Sequence, residues 1–407
     1  MDKNNTLTGH YVVNNTAYLN KYKALENCEH GHWPEWDFHN EAYSNEPWYT
    51  EPHESLYELY KQRALQLREQ YDYLLLYFSG GVDSLAVLRS FVDNNIELDG
   101  IIVTGCFDMS DTVSKQCNVE QSFVALPYLE SLRAQKRLNC PVHMMDTAKY
   151  FKFDEKEWVY SFTGVQLTPQ VFSSNFYWED PWIQSFMMKG NTGLIKGIDK
   201  PRVILEDGKW YAGFLDSSMA GSVSTDQLNN HSDRDNNEYF YWTPDFTSIV
   251  NKQAHMCINW FENNLSKEEC GVVTSKNASF NRTKYINYVD PLVYGNYIDQ
   301  KPGEERSYIT VGKPLTSQLE HKDFWFTDTR TEHLSSFNAW VEGLKMLSEK
   351  IPQQYFNRVS HSSSEYNHFL KSRNLENVFN NNSISNVLAG VVGSWSKLHY
   401  IRDFNDN

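Results

Sequence analysis

No stretch of this sequence approaches 18 consecutive apolar residues, so nothing in it reads as a membrane-spanning helix. There is no Lys/Arg-rich run, and the formal net charge is −15 at pH 7. Nucleic-acid binders draw much of their affinity from cations that neutralise phosphates, so duplex or tRNA is disfavoured as a partner and a small molecule or nucleotide is favoured. The six cysteines (Cys28, Cys106, Cys117, Cys140, Cys257 and Cys270) lack paired spacing, which argues against a disulfide framework or a zinc ribbon. The start, Met1-Asp2-Lys3-Asn4-Asn5, has no apolar segment of the kind that directs secretion. The expected compartment is therefore the reducing cytoplasm, with the thiols free. No internal repeat or long low-complexity tract is visible.

What the chain does have is rings. Aromatic residues make up 15% of it, with 12 Trp, 25 Tyr and 23 Phe, and that many rings require a packed core or a ring-lined pocket. Its 407 residues suffice for one large α/β domain with additions, or for two domains. The first 53 residues read as an aromatic arm, with Trp33-Pro34-Glu35-Trp36 and Glu46-Pro47-Trp48 as ring-anchored loops. From Glu54 to Tyr71, apolar residues recur at three- and four-residue steps, the mark of an amphipathic helix.

The clearest unit follows. Tyr73 to Phe78 reads as a buried parallel strand, Ser84 to Asn94 as a helix and Leu98 to Thr104 as the next strand. Strand, helix and strand in about thirty residues make a βαβ unit with a right-handed crossover. The pattern continues with a helix over Gln121 to Leu138 and a strand over Pro141 to Asp146. An aromatic-rich insertion then runs from Tyr150 to Trp182. Further strands are expected at Thr192 to Gly197 and Lys209 to Phe214, and helices at Pro244 to Asn263 and Thr331 to Ile351. The fold class expected is α/β, a Rossmann-like parallel sheet with helices on both faces. It would fill residues 54–265, with a mainly helical region over 266–407.

Between the first strand and its helix lies Ser79-Gly80-Gly81-Val82-Asp83-Ser84. Glycines allow successive N–H groups to converge on anionic oxygens, and the helix that follows adds its unpaired N–H groups and the positive end of its dipole. Ser79 and Ser84 can donate hydroxyl hydrogen bonds, and Asp83 can hold a Mg²⁺ that bridges phosphates. The loop lacks the lysine of a Walker A motif. It suits the grip on a departing pyrophosphate, with attack at the α-phosphorus, better than γ-phosphoryl transfer.

Ser79 to Ser84 resembles the SGGxDS motif of the PP-loop ATP pyrophosphatase superfamily, which includes GMP synthetase, NAD synthetase, asparagine synthetase and tRNA thiolation enzymes. The resemblance covers roughly residues 71–260. It implies ATP and Mg²⁺ as cofactors, adenylylation of an acceptor oxygen with loss of pyrophosphate, and displacement of AMP by a nitrogen or sulfur nucleophile. Phosphates would meet Ser79, Gly80, Gly81, Val82, Asp83 and Ser84, with adenine near Phe78 and the strand end Val103-Thr104-Gly105.

A second loop, Lys196-Gly197-Ile198-Asp199-Lys200-Pro201-Arg202, follows an expected strand where the superfamily places further phosphate contacts. Gly197 would approach the ligand, Lys200 and Arg202 would stabilise α-phosphate charge, and Asp199 would position Mg²⁺ or the nucleophile. The bland alternative is a charged surface turn. Tyr239-Phe240-Tyr241-Trp242-Thr243-Pro244-Asp245 resembles a helix-opening segment of the sulfate-reductase branch, with Thr243 as N-cap.

Glu269-Cys270-Gly271 is similar to a reductase motif but lacks its histidine, and Cys106 sits at a strand end where a persulfide would be useful. Cys28-Glu29-His30-Gly31-His32, with His39, has metal-capable groups but no second cluster. Amidating relatives with an N-terminal glutaminase carry a cysteine immediately after Met1, where this chain has Asp2, so nitrogen would come from free ammonia, from the substrate or from a separate donor subunit. Two rival classes stay open: a sulfurtransferase of the same superfamily, and a non-catalytic nucleotide sensor.

Overall fold

The computed structural model describes residues 9–29, 31–105, 107, 118, 121–146, 180–197, 200, 202–216, 237–276, 282–304, 342–355 and 393–405. Asp199, Cys106, Cys117 and most of the 150–182 insertion lie outside these residues.

The N-terminal segment is more regular than its composition implies. β1 (His10–Val13) and β2 (Thr16–Tyr18) form a hairpin, α1 (Lys21–Glu26) follows, β3 (Glu35–Asp37) pairs antiparallel with β1, and α2 (Asn40–Asn45) completes the segment. Asn14 and Asn15 both take positive φ, 49° and 61°, in the two-residue turn that sets Val13 opposite Thr16. Asparagine tolerates that region, and such a turn matches the twist of a hairpin. Trp36, Phe38, Tyr43 and Trp48 then enter the same core cluster as Phe214 and Trp242.

α3 (Leu56–Gln70) begins at a capping box, with Ser55 and Glu58 satisfying each other's backbone N–H groups. Its fully buried Arg63 pairs with Glu238 at 2.7 Å and also donates to the Tyr239 carbonyl. β4 (Tyr73–Tyr77), α4 (Val82–Val92) and β5 (Gly100–Gly105) realise the βαβ unit. Next come α5 (Leu126–Ala134) and β6 (Val142–Asp146). One turn of π-helix, Gln121–Ala125, precedes α5, which carries Pro127 in its first turn, where proline is tolerated.

The chain goes on through α6 (Pro181–Met187), β7 (Thr192–Lys196), β8 (Arg202–Glu206), β9 (Lys209–Gly213) and β10 (Asn237–Tyr239). The helices α7 (Ser248–Asn264), α8 (Lys267–Val273) and α9 (Arg282–Tyr294) follow. Residues 342–350 form α10, and β11 (His399–Asp403) closes the described chain.

The central sheet has five strands in the order β10-β7-β4-β5-β6, and all its pairings are parallel. Helices flank it, giving a mixed α/β architecture. Numbered by appearance in this sheet, the strands run fifth, fourth, first, second, third, so the order reverses beside β4, between it and β7. Lys209 to Phe214, expected as a further parallel strand, instead lies in a separate antiparallel sheet, β11-β9-β8. A two-residue turn with Asp207 and Gly208 at positive φ folds β9 straight back on β8 and leaves no room for a crossover. The fifth parallel strand is the three-residue β10, too short to show any periodicity. The helix expected from Pro244 starts at Ser248, with Thr247 as its N-cap; Thr243 instead accepts from the Asp245 N–H in a turn. The membrane expectation agrees: among the described residues, no helix is long and apolar enough to cross a membrane.

Candidate functional site

The loop after β4 is shaped by its own residues. Phe78 donates its N–H to the Ile102 carbonyl at 2.9 Å and buries its ring, 1% exposed, near Tyr128. Gly80 takes φ +83°, and a Cβ there would stand 3.1–3.3 Å from Val124 and Ala125 of the π turn. Both the backbone conformation and the close approach therefore call for glycine. Gly81, the N-cap of α4, gives its N–H to Ser79 Oγ at 3.2 Å and caps with no side chain. Ser84 Oγ donates to the Gly81 carbonyl at 3.1 Å, accepts from the Ser79 N–H at 3.3 Å, and lies 3.2 Å from Ser79 Oγ. The two serines thus hold the turn from within. Because Gly81 has no side chain to offer, the first-turn N–H groups of α4 are available to water or an anion.

Asp83, in that first turn, is the hub of a polar cluster. Lys200 Nζ lies 2.8 Å from Asp83 Oδ1 and 2.9 Å from Asp290 Oδ1, and 5.2 Å from the centre of the Tyr294 ring. The Tyr294 hydroxyl donates to Asp83 Oδ1 at 2.6 Å, and the Tyr241 hydroxyl donates to the Asp83 carbonyl at 2.8 Å. The contacts described at the Asp83 carboxylate all fall on Oδ1, and its side chain is 32% exposed. Lys200 and Asp290 are deeper, with side chains 5% and 2% exposed. Burial, reinforced by the nearby Asp83 charge, pushes the Tyr294 and Tyr241 phenols well above their usual range, so both act as neutral hydrogen-bond donors.

The loop after β7 crosses this first turn closely. A Cβ on Gly197 would stand 3.0 Å from the Asp83 carbonyl carbon and oxygen. The structure therefore brings Ser79, Gly80, Gly81, Val82, Asp83, Ser84, Gly197 and Lys200 together. Arg202 goes elsewhere among its described contacts: it opens β8, with its guanidinium 4.9 Å from the centre of the Tyr285 ring. The Tyr285 hydroxyl in turn accepts from the Val203 N–H at 3.0 Å.

At the end of β5, Val103 is core, while Thr104 and Gly105 are half-buried. Gln121 donates to the Thr104 carbonyl at 2.8 Å. A Cβ on Gly105 would meet Asn118 Oδ1 and the Phe107 ring at 2.6 Å, so this strand end is covered by its own loop. His143 Nε2 lies 2.9 Å from Asp180 Oδ2, with Trp182 stacked on the imidazole. That pairing ties β6 to the N-cap of α6.

Two of the described thiols, Cys257 and Cys270, are buried and held protonated. Cys270 is fully buried and its thiol is pushed up to about 11, chiefly by burial. Cys257 is 2% exposed and raised further by burial and by Asp290. Glu29 and His32 stand 3.9 Å apart on the surface, and no group of three metal-capable side chains occurs among the described residues.

Sequence reading named Tyr241 only within the segment 239–245, without a role of its own, and missed Asp290 and Tyr294. The only signal for the last two is their four-residue spacing, which places both on one face of α9. Compared with known proteins, the chain matches no family model and no curated relative.

Proposed function

We propose that the chain is an ATP-dependent, AMP-forming enzyme of the PP-loop ATP pyrophosphatase type, with a Rossmann-like nucleotide-binding sheet. The observation that carries this reading is the position of the Ser79–Ser84 turn. It runs from just past β4 into the first turn of α4, beside the reversal of strand order, with Lys200 reaching it from beyond β7. Open parallel α/β sheets bind ligands in the crevice outside the carboxyl ends of the strands at such a reversal. The uncapped first turn of α4 and the glycine backbone offer N–H donors for a polyphosphate, and Lys200 supplies a cation beside them.

The residues present fit a magnesium ion as a partner of the nucleotide. Asp83 is one-third exposed, its contacts among the described residues fall on one carboxylate oxygen, and further ligands would come from phosphates. The ion would neutralise phosphate charge there. In the reaction, an acceptor oxygen (carboxylate, amide or ring carbonyl) attacks the α-phosphorus. The P–O bond to the β-phosphate breaks, and its electron pair leaves on pyrophosphate. A nitrogen nucleophile then attacks the activated carbon, the C–O bond to AMP breaks, and the nitrogen gives up its proton. Lys200 beside the loop stabilises charge on the α-phosphate during attack. Acceptors are small molecules or nucleotides, in keeping with the acidic chain.

Incubation of the protein with α-labelled ATP, Mg²⁺ and a cell extract as acceptor source tests this. Labelled AMP and free pyrophosphate from the wild type, lost in Asp83→Ala, support the reading; Asp83→Ala leaves Lys200 its pairing with Asp290, so the fold should persist. Labelled ADP overturns it. Tight ATP binding without turnover would identify a sensor instead, and activity abolished by Cys106→Ala would identify sulfur transfer.

A further inference from the structure

We infer that Asp290 is a positioning residue for the nucleotide site, holding the Lys200 ammonium against the phosphate loop from beneath. The inference rests on the nucleotide reading given above and extends it to a helix, α9, that follows the last strand of the parallel sheet. Lys200 lies between two carboxylates of unequal character. Asp83 is at the open end of α4 with a third of its side chain exposed, whereas Asp290 is 2% exposed. A charge buried as deeply as that of Lys200 is costly unless a partner stays with it.

When Asp83 engages a nucleotide and its metal, Asp290 is a carboxylate that stays beside the ammonium. Tyr294, one turn further along α9, strengthens the arrangement. Its ring lies beside the ammonium at 5.2 Å, and its hydroxyl holds Asp83 Oδ1 at 2.6 Å. Asp290 and Tyr294 together therefore dock one face of α9 under the first turn of α4, and α4 and α9 are in direct contact. Nucleotide affinity then depends on a carboxylate that does not itself touch the nucleotide.

The test is ATP binding by calorimetry to the full-length wild type and to Ser84→Ala, Lys200→Met, Asp290→Asn and the Lys200→Met/Asp290→Asn double variant. Thermal melts accompany each titration. Asp290→Asn should weaken ATP at least about tenfold, as Lys200→Met does, because the ammonium loses the buried charge, 2.9 Å away, that holds it in place. In the Lys200→Met background, Asp290→Asn should change affinity less than about twofold, since residues acting through one group are not additive. A generally loosened fold would weaken both backgrounds alike, so equal losses in the two overturn the inference. Affinity lost in Ser84→Ala and Lys200→Met but retained in Asp290→Asn overturns the positioning role and leaves the nucleotide reading standing. A wild type that binds no ATP overturns both. The double variant exchanges the buried pair for neutral groups, and so guards against a fold lost to one unbalanced charge.

Discussion

Removing Asp216 should loosen the N-terminal segment from the rest of the molecule, and the structure sets the size of the effect. Asp216 Oδ2 accepts from Lys21 Nζ at 2.6 Å and from the Tyr11 hydroxyl at 2.8 Å, and Oδ1 accepts from the Ser394 N–H at 2.7 Å. The side chains of Lys21 and Asp216 are 0% and 1% exposed. Burial already pulls the Lys21 ammonium below its usual range, with Asp216 opposing that pull. Asp216→Ala takes away the carboxylate against which this cation is held. Breaking a buried pair from one side costs about 3–5 kcal/mol. Lys21→Met is milder, about 2 kcal/mol, because Asp216 keeps two hydrogen-bond donors. The double variant Lys21→Met/Asp216→Ala leaves no charge uncompensated and should be more stable than the sum of the single losses predicts, by roughly 2 kcal/mol. Urea unfolding followed by circular dichroism gives the free energies, and limited proteolysis should cut first within residues 9–48. Loss of less than about 1 kcal/mol in Asp216→Ala, or strict additivity in the double variant, would refute the reasoning.

Acid should weaken the fold through His399, which is 5% exposed, stacks on Trp48 at 5.0 Å, and has its imidazole pulled down to about 4 by burial and Lys397. A base whose folded pKa is lowered stays neutral in the fold while the unfolded chain takes up a proton. Its contribution is intact above about pH 6.5 and declines towards pH 4, by at most about 3 kcal/mol. His399→Gln should flatten that limb of the stability–pH curve, and an unchanged slope would sink the idea; His255 is shifted in the same direction by burial. Nucleotide binding should depend on divalent cations, because among the described residues the cluster at Asp83 holds two carboxylates against one ammonium and the α4 dipole offsets only about half a charge. Chelation with EDTA should weaken ATP in the same calorimetric titration by at least about tenfold, and an unchanged affinity would mean that the phosphates do not lie beside Asp83.

The β4–loop–α4 unit was legible because every signal in it is local. A five-residue apolar strand, two glycines and an amphipathic helix each read within a few residues, and the structure places them there. Lys200 was legible as a cation in a loop after a strand. Its partners were not, because Asp83, Lys200 and Asp290 meet only through the tertiary fold. β10 stayed hidden for a different reason: its three residues are all buried, so no alternation marks them. The N-terminal hairpin was obscured by composition. Asn14-Asn15 between two valine-bearing and threonine-bearing runs carries turn chemistry, but the surrounding Asn, His and Trp residues mask its period.

Those long-range contacts change what the region after residue 265 contributes. Cys270, Val273, Tyr285, Val289, Val293 and Tyr294 belong to the same core cluster as Leu74, Leu76 and Leu85. α9 therefore packs as an integral layer rather than as an appendage, and it carries Asp290 to within 2.9 Å of the Lys200 ammonium. A chain ended at residue 265 would keep the entire Ser79–Ser84 turn and all five parallel strands. It would nevertheless lose one carboxylate from Lys200 and the Tyr294 hydroxyl from Asp83. The most recognisable part of the sequence is thus not sufficient for the site: the motif supplies the donors, and a helix more than two hundred residues away along the chain orients the charge beside them.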